Sequence, residues 1–109
     1  MKWYAVRRLV RDRFGKRPDL NAILYLIGIN ELGMIKDSFE KEEKEDLMHI
    51  AICRLFSQDG YFEYQGRDDE GWPHYTTIKP FPKSNLKEQE ELIKKRVVQY
   101  FEDERLIGE

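Results

Sequence analysis

The chain holds a single cysteine, Cys53, and only two histidines, His49 and His74. A lone thiol excludes an intrachain disulfide, and so few imidazoles exclude a zinc finger built by one chain. An unpaired thiol suits a reducing compartment, so the expected location is the cytoplasm. Long apolar runs are also missing. The longest, Ile23 to Ile29, is broken by Gly28 and bounded by Asn21 and Asn30, far short of the roughly 20 residues a helix needs to cross a bilayer. Arg7 and Arg8 interrupt the amino-terminal segment before an apolar stretch can form, so no secretory signal is expected. A phosphate-cradling glycine loop, a dinucleotide fingerprint and a serine-centred elbow are absent. No cofactor is therefore expected.

What is present suits a folded protein. The 109 residues are 40% hydrophobic and 13% aromatic, and a chain of this size buries roughly 65% of the surface it exposes when unfolded. One domain over residues 1–109 with one core is expected. The 37% of charged residues then belong to a solvated surface. These charges are segregated. Residues 1–17 hold seven basic groups against Asp12, a local charge of +6, which leaves −8 of the net −2 for residues 18–109. Arg7, Arg8, Arg11, Arg13, Lys16 and Arg17 read as a basic arm with a partner of its own, which composition leaves open among nucleic acid, an acidic protein surface, a membrane face and the acidic remainder of the same chain.

Spacing predicts four helices. Trp3, Val6, Val10 and Phe14 recur at helical intervals with arginines between them, giving a basic amphipathic helix that ends at Gly15. Lys16, Arg17 and Pro18 form a linker to a compact core over residues 18–109. Asp19 is placed to cap a second helix by accepting from an amide near Asn21 or Ala22. Its apolar residues, Leu20 to Ile29, cover too much of its circumference for a surface helix, so it is the most buried element, with Gly28 allowing a neighbour to approach closely. Gly33 stops it. Asp37 and Glu40 fit a capping box for a third helix over residues 39–57, whose first half is charged (FEKEEKED) and whose second is apolar (LMHIAICRLF). Asn85 and Glu88 fit another for a last helix reaching Glu104, with Leu86, Ile93, Val97, Tyr100 and Phe101 as its apolar stripe.

Between the third and fourth helices, residues 60–80 read as a β-hairpin. Aromatic residues flank an acidic tip, Asp68, Asp69 and Glu70, bounded by Gly66 and Gly71. Pairing Gly66 with Gly71, or Arg67 with Trp72, leaves the same side chains sharing a face. Phe62, Tyr64, Tyr75 and Thr77 share the side expected to pack on the helices. Tyr61, Glu63, Gln65, Trp72, His74 and Ile78 share the other, partly in solvent. Pro73 suits an edge strand. The fold class is α+β and mainly helical, four helices with one antiparallel hairpin between the third and the fourth.

This order of three helices and a hairpin resembles a winged-helix domain, in element order and not in residue motif. The resemblance implies that the third helix would enter the major groove of DNA. Its amino-terminal residues, Glu40, Glu42, Glu43, Glu45 and Asp46, and the acidic tip would repel phosphate, which argues against groove binding though not against the fold.

Two chemical constellations stand out. Glu42, Asp46, His49 and Cys53 fall on one face of the third helix. Asp46 and His49, at i and i+3, have the spacing of a carboxylate and histidine metal pair, with Glu31 as the carboxylate of the apolar helix, but two copies would be needed to complete the set. Glu31 is also a candidate general acid or base, with Arg54 as an architectural partner that would remove that role. Cys53 and His49 invite a thiolate reading, which their apolar and acidic surroundings oppose. Tyr61, Trp72, His74 and Ile78 form a candidate contact surface, aromatic anchors among polar groups. The function favoured is a non-enzymatic interaction protein that binds itself as a homodimer, or another protein. The alternatives are a nucleic-acid-associated protein using its basic arm and a metal-dependent enzyme with an inter-subunit carboxylate and histidine site.

Overall fold

In the computed structural model, residues 2–14, 19–34, 38–80 and 85–104 are described. They form α1 (Lys2–Phe14), α2 (Leu20–Leu32), α3 (Lys41–Ser57), β1 (Phe62–Arg67), β2 (Pro73–Thr77) and α4 (Leu86–Asp103). The fold is therefore mainly helical α+β, with the hairpin between the third and fourth helices. The predicted helix stop at Gly15, the linker with Lys16 and Arg17, the cap at Asp37 and the side chains of Arg13 and Phe14 lie outside the described residues. The chain forms two compact units, residues 1–23 with 83–109, and residues 24–82.

In the first unit α1 packs on α4. Val6 and Val10 of α1 and Val97, Tyr100 and Phe101 of α4 are buried, the apolar stripes that the spacing predicts. The Lys94 ammonium stands 5.6 Å above the Trp3 ring, a cation over the negative face of the indole. Leu86, expected in the α4 stripe, remains 71% exposed, because it is the first residue of the helix, two turns ahead of Ile93. Asn85 caps α4 by accepting the Glu88 amide at 2.8 Å, and Asp19 caps α2 by accepting that of Ala22 at 2.8 Å. Each cap satisfies an amide that helix geometry leaves without a partner.

The second unit contains most of α2, α3 and the hairpin. Gly28 lies against the backbone of α3 at Leu47, where a side chain would collide with the Leu47 carbonyl. This is the close approach that a glycine in an apolar helix suggests. Gly33, at φ +73, ends α2. The third helix starts later than expected, at Lys41, with Glu40 as its N-cap and the Glu40 amide donating to Glu43 Oε1 at 2.9 Å. The reason lies in Phe39. Held outside the helix, it is buried on Leu32 and Leu47 and meets the Tyr25 ring edge-on at 6.2 Å. Leu47, Ile50, Ala51, Cys53, Leu55 and Phe56 then form the buried face of α3.

The hairpin pairs Phe62 with Thr77, Glu63 with Thr76 and Tyr64 with Tyr75, then shifts to Gly66 with His74 and Arg67 with Pro73. Gln65 is the extra residue of a β-bulge, and Gly66 takes φ +96. In the bulged strand a one-residue shift turns every later side chain to the opposite face. Beyond the bulge Arg67 thus joins Pro73 on the side of Phe62, Tyr64 and Tyr75, a change that neither predicted register contains. At the tip the Asp68 amide donates to the Trp72 carbonyl and the Gly71 amide to the Asp68 carbonyl, both at 2.9 Å.

Candidate functional site

The second unit has a recess of about 420 Å³ between α3 and the hairpin. Helical periodicity brings Glu43, Asp46, His49, Ile50 and Cys53 of α3 to its wall, and the hairpin supplies Asp68, Glu70, Trp72, Pro73, His74 and Tyr75. Four carboxylates, two imidazoles and two large aromatic rings thus share one concavity. No lysine or arginine lines it among the described residues.

Asp68 organises the tip. Its Oδ1 accepts the amides of Glu70 at 2.9 Å and Trp72 at 3.0 Å, and its Oδ2 lies 2.8 Å from His74 Nε2. The hydrogen bond to His74, followed by that from the Trp72 amide, holds the Asp68 carboxyl below the usual carboxylate range. On the helical wall Cys53 Sγ lies 3.5 Å from His49 Nε2. Burial pushes the Cys53 thiol up to about 11. A thiol with that value is almost wholly protonated at neutral pH, and the thiolate is the nucleophile, so the geometry of a cysteine and histidine pair comes without its reactivity. The ring of Phe62 meets the His49 imidazole edge-on at 6.3 Å.

Glu31 is elsewhere. It forms an ion pair with Arg54 at 3.4 Å, the pairing expected of an architectural residue, and with Arg67, Tyr64 and Tyr75 it lines a smaller recess of about 310 Å³. Tyr75 reaches both recesses. Burial, followed by the negative charge of Glu31, pushes its hydroxyl up to about 12, against a smaller opposing effect of Arg54. The metal candidates are therefore divided: Asp46 and His49 share the acidic recess, and Glu31 does not join them. Among the described residues no group of three His, Cys, Asp or Glu side chains is arranged to hold a metal ion.

The contact-surface candidates are divided too. Trp72 does not share an open face with the others; it is half-buried and packs against Leu32, Phe39 and Leu47, because the tip carries it past the end of the strand ladder and the indole finds apolar cover. Tyr61 is half-buried, edge-on to Phe56 at 6.4 Å, with the Lys79 ammonium 4.6 Å above its ring. His74 and Ile78 remain exposed. Of the basic arm, Arg8 and Arg11 are exposed and Arg7 is half-buried beside Trp3 and Lys94.

Arg67 was not a sequence candidate. Its guanidinium donates to the carbonyls of Leu32 at 2.9 Å, Glu31 at 2.7 Å and Gly71 at 2.7 Å. One planar cation thereby neutralises the negative carboxyl end of α2 and ties the hairpin tip to it. The only signal in the sequence is an arginine directly before three acidic residues, which by itself reads as a surface pair.

No helix among the described residues is long and apolar enough to cross a membrane. No family model, curated protein or solved structure matches the chain.

Proposed function

We propose that this is a non-enzymatic cytoplasmic interaction protein whose contact surface is the recess between α3 and the hairpin, and that its partners bring positive charge to it. The observation that carries this reading is the lining itself: Asp46, Asp68 and Glu70 line the recess together with Trp72 and Tyr75, and among the described residues no lysine or arginine does. Carboxylates that share a recess with aromatic rings suit arginine and lysine side chains, which combine ion pairing with stacking on a ring. Protonation of Cys53 and the charge pairing of Glu31 support contact over catalysis. The same acidic lining opposes insertion of α3 and the hairpin into duplex DNA.

The test is a titration of the full chain with an oligo-arginine peptide, followed by amide chemical shifts and Trp72 fluorescence, with an oligo-glutamate peptide as control. Shifts confined to α3 and the hairpin, weakened by salt and by Asp46→Asn with Glu70→Gln, are expected. Equal response to both peptides, or shifts that ignore these substitutions, would refute the proposal.

A further inference from the structure

A second surface carries arginines, which do not line the recess among the described residues. On α1, Tyr4, Arg8 and Arg11 stand at i, i+4 and i+7, so they form one ridge. Tyr4 is 66% exposed, and Arg8 and Arg11 are exposed as well. Val6 and Val10 on the opposite side are buried, which fixes the ridge outward. Arg11 approaches Asp12 at 3.9 Å with both side chains more than half exposed, an arrangement that holds an arginine weakly.

We infer that the occupant of the recess is a second copy of this chain, inserting its α1 ridge of Tyr4, Arg8 and Arg11 between α3 and the hairpin. This rests on the reading of the recess as a contact surface. The ridge offers two guanidinium groups and a ring; the recess offers Asp46, Asp68 and Glu70 with Trp72 and Tyr75. Arginine, tyrosine and tryptophan are the residue types that dominate interface energetics. The charge balance points the same way, with +6 in residues 1–17 against −8 in the remainder, so each copy carries both halves of a complementary pair. A nucleic acid would satisfy the ridge alone and be repelled by the acidic surfaces. Ridge and recess are different patches, so each contact joins the ridge of one copy to the recess of another.

The experiment measures the mass of the full chain by light scattering over protein concentration, at low and at high salt. Arg8→Glu with Arg11→Glu breaks the ridge, and Asp46→Lys with Glu70→Lys breaks the recess, all at exposed positions. Wild-type mass should rise with concentration at low salt and return to the monomer at high salt. Each double variant should associate at least about tenfold more weakly, as expected for a lost pair of interfacial charges. Mixing the two variants should restore association, since one keeps an intact ridge and the other an intact recess; this also shows that both are folded. A wild type monomeric at every concentration, or a mixture no heavier than its parts, overturns the inference. If the peptide of the preceding section still binds such a monomer, only the self-association fails; if it does not, the reading of the recess fails with it. Loss of DNA or heparin retention in the ridge variant with unchanged mass would assign the ridge to a polyanion and overturn the inference as well.

Discussion

Gly28→Ala isolates the contact on which the packing of α2 against α3 depends. An alanine Cβ there would sit 2.6 Å from the Leu47 carbonyl carbon and 2.9 Å from its Cα, and closer still to its oxygen. Ordinary contact begins near 3.5 Å, so the helices must separate by about 1 Å. The obstacle is backbone, which cannot rotate aside as a side chain could. In an unencumbered helix the substitution would stabilise by about 1 kcal/mol. Here separation loosens Leu47, which is fully buried, and full burial of a leucine is worth about 1.5–3 kcal/mol. Strain from overpacking adds about 1–3 kcal/mol. The net expectation is a loss of about 2–4 kcal/mol, a large part of the stability of a small protein. The assay is urea unfolding in a Trp3→Phe background, so that Trp72, which packs on the cluster containing Leu47, is the only indole reporting. Asn21→Ala, at an exposed position of the same helix, should change stability by less than about 0.5 kcal/mol. If Gly28→Ala unfolds at the wild-type urea concentration or above it, the close approach of α2 and α3 is refuted.

Arg67→Ala should free the hairpin tip from α2. It removes three hydrogen bonds from a charged donor, at a cost of about 1.5–3 kcal/mol given its partly solvated setting. Arg67→Lys should recover less than half, because a point charge cannot span three carbonyls. Hydrogen exchange of the hairpin amides reads both, and unchanged protection in Arg67→Ala would count against the strap. The Cys53 thiol, raised by burial from 9.0 to about 11, ties stability to alkaline pH. The unfolded chain ionises first, so the stabilising contribution is complete below about pH 9 and is lost as pH rises from 9 to 11. Cys53→Ala should flatten the thiol's part of that decline, and thiol reagents at neutral pH should label the wild type only as fast as it opens. Rapid labelling of the native protein would contradict the burial.

Local signals in this chain were legible because they depend on a few neighbouring residues. Asp19 and Asn85 cap their helices, Gly33 and Gly60 end theirs with positive φ, and the 3.6-residue spacing of Val6, Val10 and Val97 marks faces that are buried. Gly28 and the pairing of Glu31 with Arg54 could also be anticipated, since an unusual residue in an apolar helix needs a close neighbour or a counter-charge. The candidate site was legible only in part. Asp46, His49 and Cys53 lie on one face by helical geometry alone, but which elements face them does not follow from spacing. Its other wall depends on the bulge at Gln65, which turns Arg67 towards α2, and on a tip that lays Trp72 against Leu32, Phe39 and Leu47.

The sequence by itself thus determined the four helices, the caps of α2 and α4, the stops at Gly33 and Gly60, the hairpin and the segregation of charge, because these follow from spacing and composition within one or two turns of chain. Only the tertiary structure decided that Phe39 is held out of α3, that Trp72 is drawn into packing, that Glu31 is kept apart from Asp46 and His49, and that four carboxylates from α3 and the hairpin line one recess. The first two are competitions between local preference and burial against residues distant in the chain; the others depend on which elements the fold sets side by side. Burying a large ring is worth more than one further residue of helix or one more rung of a two-stranded ladder.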